Sequence, residues 1–253
     1  MHNIYNIYFI LFSREFKRLA ESDPITDEAL EHFFASARHM LYAGESAYGH
    51  GGEAFWIFAF GDGDELFARC TPKQQAFYIK ALAELLDDTE KVEKEWVAAG
   101  KPMQQESELP SLRRHLARIQ LPSQEIELAG MTLDGKPFDL KSLRGKVVLL
   151  DFWATTCAPC IAEFPALKEH YGKLHARGFE IVGISGGDKE KVAALVKSKE
   201  LPWIQLYEPK DELFAKLHGS GVPYCILLDR AGKVMTTYAR GEILQRKLEE
   251  LFR

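Results

Sequence analysis

Cys157 and Cys160 stand three residues apart, C-x-x-C, after the apolar run 147–150 and the residues Asp151-Phe152-Trp153-Ala154-Thr155-Thr156. A helix-type run over about 158–177 follows, so the two cysteines lie at a strand-to-helix junction. A thiolate, not a thiol, is the nucleophile, and a thiol with its ordinary pKa of about 8.5 is mostly unreactive at neutral pH. The first turn of a helix offers unpaired N–H groups and the positive end of the macrodipole, which favour a negative sulfur. Cys157 falls at that turn, and Cys160 lies one turn on along the same face. Cys157 can therefore attack a disulfide and Cys160 can resolve the mixed disulfide. Pro159 suits a first turn, where a missing N–H costs little. C-x-x-C is also half of a zinc knuckle. A four-ligand site needs a second pair, no second C-x-x-C occurs, and Cys70 and Cys225 are far apart in the chain. Redox chemistry is the favoured reading, and no metal is expected.

Asp151 ends an apolar strand, where a carboxylate would be desolvated and its pKa raised. That makes it a proton acceptor for Cys160 as the mixed disulfide collapses; the competing reading is a helix-capping or salt-bridged Asp. Pro223 follows Val222, and X–Pro is the bond at which cis is cheap. Cys225 reads as a buried structural cysteine, with a third redox thiol as the other reading, and Cys70 reads as structural. The acidic run Asp62-Gly63-Asp64-Glu65 lacks the spacing of a calcium loop, and 183–187 contains no phosphate-binding pattern.

The elements that must position these residues alternate strand and helix from about residue 125 onward. Residues 125–129 and 138–140 read as a hairpin, 147–152 as a buried parallel-type strand, and 179–185 as the next. Residues 189–199 read as a helix, 203–206 as a strand, 211–217 as a helix, 222–229 and 233–238 as a hairpin, and 242–251 as a closing helix. Pro165 should kink the redox helix. This predicts a mixed sheet covered on both faces. Before it, residues 14–120 look mostly helical. A helix near 27–42 carries Leu30, Phe33, Phe34, Ala37 and Leu41 on one stripe. Thr71-Pro72 opens a long helix ending near Ala99, with Phe77, Leu82, Leu85 and Leu86 inward, and 111–119 is a short basic helix. Residues 44–52 read as a loop and 53–60 as a helix, with the domain junction at 120–123.

The chain has 253 residues, 46% hydrophobic and 27% charged, enough for two domains. Residues 1–120 carry 13 Lys/Arg against 19 Asp/Glu and the remainder 19 against 18. Neither half has a basic patch, which argues against a nucleic-acid partner. No run approaches the roughly 18 apolar residues of a membrane helix. The short apolar run 4–12 is preceded by no basic residue and followed by no small-x-small cleavage site. It reads as a first strand or helix of the N-terminal domain.

Asp151-Phe152-Trp153-Ala154, Cys157-Ala158-Pro159-Cys160 and Pro165 together resemble the active-site run of the thioredoxin superfamily. Gly145–Leu150 before it, Glu163-Phe164-Pro165 after it, and Gly221-Val222-Pro223 ahead of Ile226-Leu227-Leu228-Asp229 are similar to the TlpA/ResA-like thiol–disulfide reductases. The resemblance covers about 121–253. It implies an α/β thioredoxin-like fold, fused here to a mostly helical N-terminal domain, 1–120. It implies a thiol–disulfide oxidoreductase that reduces protein disulfides with no cofactor beyond the Cys157–Cys160 pair. The implied partners are protein thiols and disulfides and an upstream electron donor, in an extracytoplasmic setting. It implies that Pro223 is cis and faces the cysteines, that Val222 pairs with the substrate backbone, and that Trp153 and Pro159 border the substrate. It gives Asp151 the proton-acceptor role and places Glu163 near the cysteines; a solvated helix-surface glutamate is the other reading. Two positions depart from the family pattern: Thr156 stands where Trp is common, and Tyr224-Cys225 where a polar pair is common. A peroxiredoxin-type peroxidase would need Thr or Ser three residues before the cysteine and Pro four before that, where Ala154 and Leu150 stand. The remaining alternative is a binding or scaffold module with an incidental dithiol, against which the intact Cys157, Cys160 and Pro223 argue.

Overall fold

The computed structural model describes residues 16–19, 21–43, 62–100, 107 and 109–253. The chain divides into two compact units, Met1–Gln120 and Leu121–Arg253. The expectations for 4–12, 44–52 and 53–60 lie outside the described residues.

In the first unit α1 spans Asp27–Ala43, α2 Asp62–Arg69, α3 Pro72–Ala98 and α4 Leu109–Ile119. Thr71 caps α3 as a reciprocal box: its hydroxyl accepts from the Gln74 N–H, and the Thr71 N–H donates to Gln74 Oε1 at 2.9 Å. Leu30, Phe33, Phe34 and Ala37 are buried as their spacing predicts. On α3 the buried stripe is Gln74, Tyr78, Leu82, Leu85 and Thr89. Tyr78 occupies the deep position expected of Phe77, which is only partly buried with Leu86. Aromatic edges from Phe34 and Phe67 close on the Tyr78 ring at 4.9 and 5.4 Å.

In the second unit a short ladder pairs β1 (Ala129–Met131) with β2 (Pro137–Asp139). The strand expected over 125–129 is not formed. That stretch is drawn instead to the β6–β7 turn, with Val234 N–H donating to Gln124 O at 2.8 Å and Ile126 N–H to Gly232 O at 3.2 Å. The main sheet holds β3 (Val147–Phe152), β4 (Phe179–Ser185), β5 (Ile204–Tyr207), β6 (Tyr224–Leu228) and β7 (Val234–Thr236), in the order β5-β4-β3-β6-β7. β3 runs parallel to β4 and antiparallel to β6. Side chains alternate faces along a strand. Val147 and Leu149 join the core that contains Cys157, Cys160 and Phe164 of α5 (Ala158–Leu174), together with Leu244 and Leu248 of α8 (Gly241–Leu251). Val148, Leu150 and Phe152 join the opposite core. α6 (Lys189–Ser198) and α7 (Glu212–Lys216) complete the set. α5 runs unbroken through Pro165 as one element. Among the described residues no helix is long and apolar enough to cross a membrane.

Candidate active site

β3 is buried at all six positions and delivers Asp151 at its end. The chain then turns so that Cys157 becomes the N-cap of α5, with the Cys160 N–H donating to Cys157 Sγ at 3.2 Å. A backbone donor at a helix N-terminus thus points at the first sulfur, as a stabilised thiolate requires. The two cysteines form a disulfide with Cα atoms 5.4 Å apart. Cys157 is 8% exposed and Cys160 2%, so the first sulfur is the more accessible. Pro159 is exposed in the first turn, as its position predicts.

Pro223 precedes β6, and the Val222–Pro223 peptide is cis. The register pairs Phe152 with Tyr224, so the cis-proline and the cysteine turn share one end of the sheet. A cleft of about 530 Å³ opens there, walled by Trp153, Thr155, Thr156, Phe214, Gly221 and Val222 among others. Val222 is 39% exposed, an uncommon state for a large apolar side chain in this protein. Trp153 is almost fully buried: its indole N–H donates to Gln205 Oε1 at 3.2 Å and its ring meets Phe164 edge-on at 5.4 Å. It forms a wall of the cleft through a fixed ring.

Among the described residues Asp151 neither caps a helix nor forms a salt bridge. It is 2% exposed, and burial pushes its carboxyl up to about 7. Cys225 Sγ donates to its Oδ1 at 3.4 Å, and Oδ2 has no hydrogen-bond partner among the described residues. Burial, reinforced by the Asp151 charge, drives the Cys225 thiol well above its usual range. Glu163 is neither free nor fully solvated. Arg240, next to α8, grips it through Nε at 2.9 and 3.2 Å and a terminal nitrogen at 2.7 Å. The Glu163 charge reaches Asp151 and raises it, and Arg240 acts in the opposite sense. Sequence reasoning missed Arg240 and Gln205, since nothing local marks either one. His170 and His175 carry H-x4-H spacing, but His175 stacks on Tyr171 at 4.4 Å and its Nδ1 lies 3.1 Å from Phe179 O. Among the described residues no group of three or more His, Cys, Asp or Glu is placed to hold a metal ion.

Residues 118–240 match the AhpC/TSA family. The thiol-disulfide oxidoreductase ResA of Bacillus thuringiensis subsp. konkukian is 33% identical over 119 residues, 47% of this chain and 68% of that protein. The chain belongs to the ResA-like thiol–disulfide oxidoreductases. ResA of Bacillus subtilis is 32% identical over 103 residues, 40% of this chain and 58% of its own length. Among solved structures, the thioredoxin domain of a Bacteroides vulgatus thiol-disulfide oxidoreductase superposes at a TM-score of 0.48, with 28% identity, covering 52% of this chain and 98% of that one. The second unit is a thioredoxin-like α/β domain, and the described part of the first is helical. As a member of that family the chain is a thiol–disulfide oxidoreductase, and its Cys157–Cys160 disulfide fits the C-x-x-C pattern.

Proposed function

We propose that this protein works as a reductase of protein disulfides, with Cys157 as nucleophile, Cys160 as resolving thiol and Asp151 as the base that takes the Cys160 proton. The observation that carries the reading is a desolvated carboxylate with one unpartnered oxygen in the same core layer as the two sulfurs. Reduced Cys157 attacks a substrate sulfur, and the displaced sulfur leaves as a thiolate. Val222 and the cis Pro223 offer backbone to the substrate chain beside the cleft, while Trp153 and Pro159 border it. Glu163, held by Arg240, sets the local field. No redox group beyond the cysteine pair is needed. An upstream dithiol donor must return the pair to the reduced state. We place the protein outside the cytoplasm, as its ResA-like sequence suggests, and divide it at 120/121 into a helical target-recognition domain and a redox domain. Peroxide reduction is disfavoured because Ala154 brings no hydroxyl to the position three before Cys157.

The test is the reduction potential of the Cys157–Cys160 pair, equilibrated against glutathione or dithiothreitol buffers. A value near thioredoxin's roughly −270 mV supports a reductase, and one near roughly −120 mV reverses the direction. Cys157→Ser should abolish exchange, whereas Cys160→Ser should trap the mixed disulfide. Unchanged turnover on the natural target after loss of residues 1–120 would remove the recognition role.

A further inference from the structure

Asp151 and Cys225 face each other in the antiparallel β3–β6 ladder. Both are 2% exposed, and Cys225 Sγ sits 3.4 Å from Asp151 Oδ1. On the other flank of Asp151 the register places Gly183 of β4. A Cβ on Gly183 would come within 2.4 Å of Gln205 Oε1, so the Gln205 amide crosses β4 in the space that Gly183 leaves. Its Oε1 takes the Trp153 indole proton, and its Nε2 has no partner. The two oxygens of Asp151 are therefore unlike: one is tied to a thiol, and the other has no hydrogen bond. Among the described residues the titratable and charged groups of this layer are Cys225 on β6, Cys157 at the N-cap of α5, Cys160 and Glu163 on α5, and Arg240 beside α8; β4 contributes glycine.

We propose that Cys225 is a positioning residue of the exchange reaction: its thiol donates to Oδ1 of ionised Asp151 and leaves Oδ2 as the oxygen that takes the Cys160 proton. This rests on the reading of Asp151 as proton acceptor. In the mixed disulfide, Cys157 Sγ is bonded to a substrate sulfur. The Cys160 proton moves to Oδ2, and the new thiolate attacks Cys157 Sγ. The Cys157–Cys160 bond forms as the Cys157–substrate bond breaks. The electron pair leaves with the substrate thiolate, which water protonates, and Asp151 later releases its proton to solvent. The cysteine pair is oxidised by two electrons and the substrate disulfide is reduced by two. Cys225 is neither oxidised nor consumed.

The step is separable with dithiobis(nitrobenzoate) as the probe. Reduced full-length protein releases one equivalent of nitrothiobenzoate when Cys157 attacks and a second when Cys160 resolves. The rate of the second release should rise with pH as Asp151 ionises and then level off. Removing the donor in Cys225→Ala makes the carboxylate harder to form, so the rising limb should move up by about half to one pH unit. The plateau should stay within about twofold, and Cys225→Ser, which keeps a donor, should restore the midpoint. Asp151→Asn should remove the limb. An unmoved midpoint in Cys225→Ala, with the limb lost in Asp151→Asn, overturns the role of Cys225 and leaves the base intact. A limb that survives Asp151→Asn overturns the reading of the base itself. A check that needs no variant uses the oxidised protein, in which Cys157 and Cys160 have no S–H and the thiols are those of Cys70 and Cys225. The Cys225 S–H infrared band should move to lower frequency as Asp151 ionises, and a band indifferent to pH contradicts the tether.

Discussion

Asp64 in the N-terminal unit and Asp151 in the C-terminal unit are both buried carboxylates, 4% and 2% exposed, and their surroundings are opposite. Asp64 Oδ2 lies 2.6 Å from Arg118 Nε, and Oδ1 lies 3.0 Å from His115 Nδ1. Tyr78 hydroxyl closes the far side of the His115 ring at 3.3 Å. A guanidinium and an imidazole thus flank one carboxylate in a helical core, with a phenol behind the imidazole. Asp151 has the Cys225 thiol on one oxygen and, among the described residues, no cation within ion-pair distance of either. A buried charge with good partners is a fixed piece of architecture, since removing any partner exposes the desolvation cost. A buried carboxylate without a cation has its proton affinity raised toward neutrality and can exchange that proton at working pH. The difference separates a buried carboxylate balanced by a cation from one whose proton is held near neutral pH, although both are equally hidden from solvent.

The sharpest way to break this comparison is to remove the cation from the paired site. Arg118→Met should destabilise the protein by about 3–5 kcal/mol at pH 7, because it strands Asp64 without its guanidinium. Asp64→Asn placed in that variant should recover part of the loss. Urea unfolding followed by the helical signal measures both; an Arg118→Met protein as stable as wild type would show that the buried pair is not structural.

Next in size is the pH dependence at Asp151. Its folded pKa of about 7 stands above the ordinary value of 3.8, so the folded state binds more protons between those values. Stability linked to this group is fully present below about pH 4 and is lost as pH rises through about 7. The span is on the order of 4 kcal/mol. Asp151→Asn should lack this loss, so the gap between variant and wild type should widen in the variant's favour from pH 4 to pH 8, while the resolving step slows by about 10²-fold. Parallel stability curves for the two proteins would mean that Asp151 does not carry the raised pKa.

The contrast also explains what was legible beforehand. Strand β3, the cysteine turn, the Thr71 cap and the helix stripes are written locally, in hydrophobic period and in residues three or four apart. Asp151 was legible too, because an acid that ends a fully apolar strand has few ways to reach water. Its surroundings were not. Cys225 is 74 residues away and Arg240 is 77 residues from Glu163, and both contacts depend on strand register and on where α8 returns to α5. Asp64 looked like part of a weak acidic run because its partners come from α4, which read only as a short basic helix. The 125–129 stretch alternates well enough to pair locally, yet its backbone found better partners at the β6–β7 turn. Local pattern sets elements; which side chains share a pocket is decided by long-range pairing.

The smallest effect expected is at the ion pair that sits beside the unpaired carboxylate. Glu163 and Arg240 keep side-chain exposures of 27% and 23%, so solvent screens their field more than it screens Asp151. Glu163 raises the Asp151 pKa and Arg240 lowers it, and together they present a nearly neutral pair. Arg240→Gln leaves a bare negative charge and should move the rising limb of the resolving step upward by about half a pH unit or less. Glu163→Gln leaves a bare positive charge and should move it downward. The double variant restores neutrality, so its midpoint should return toward wild type although both side chains are gone. A purely packing role predicts that the two single variants shift in the same direction and that the double is worst. Opposite shifts that cancel make the pair an electrostatic setting for Asp151, which gives the unpaired site the counterpart of what Arg118 does directly for Asp64, delivered at longer range and at lower strength.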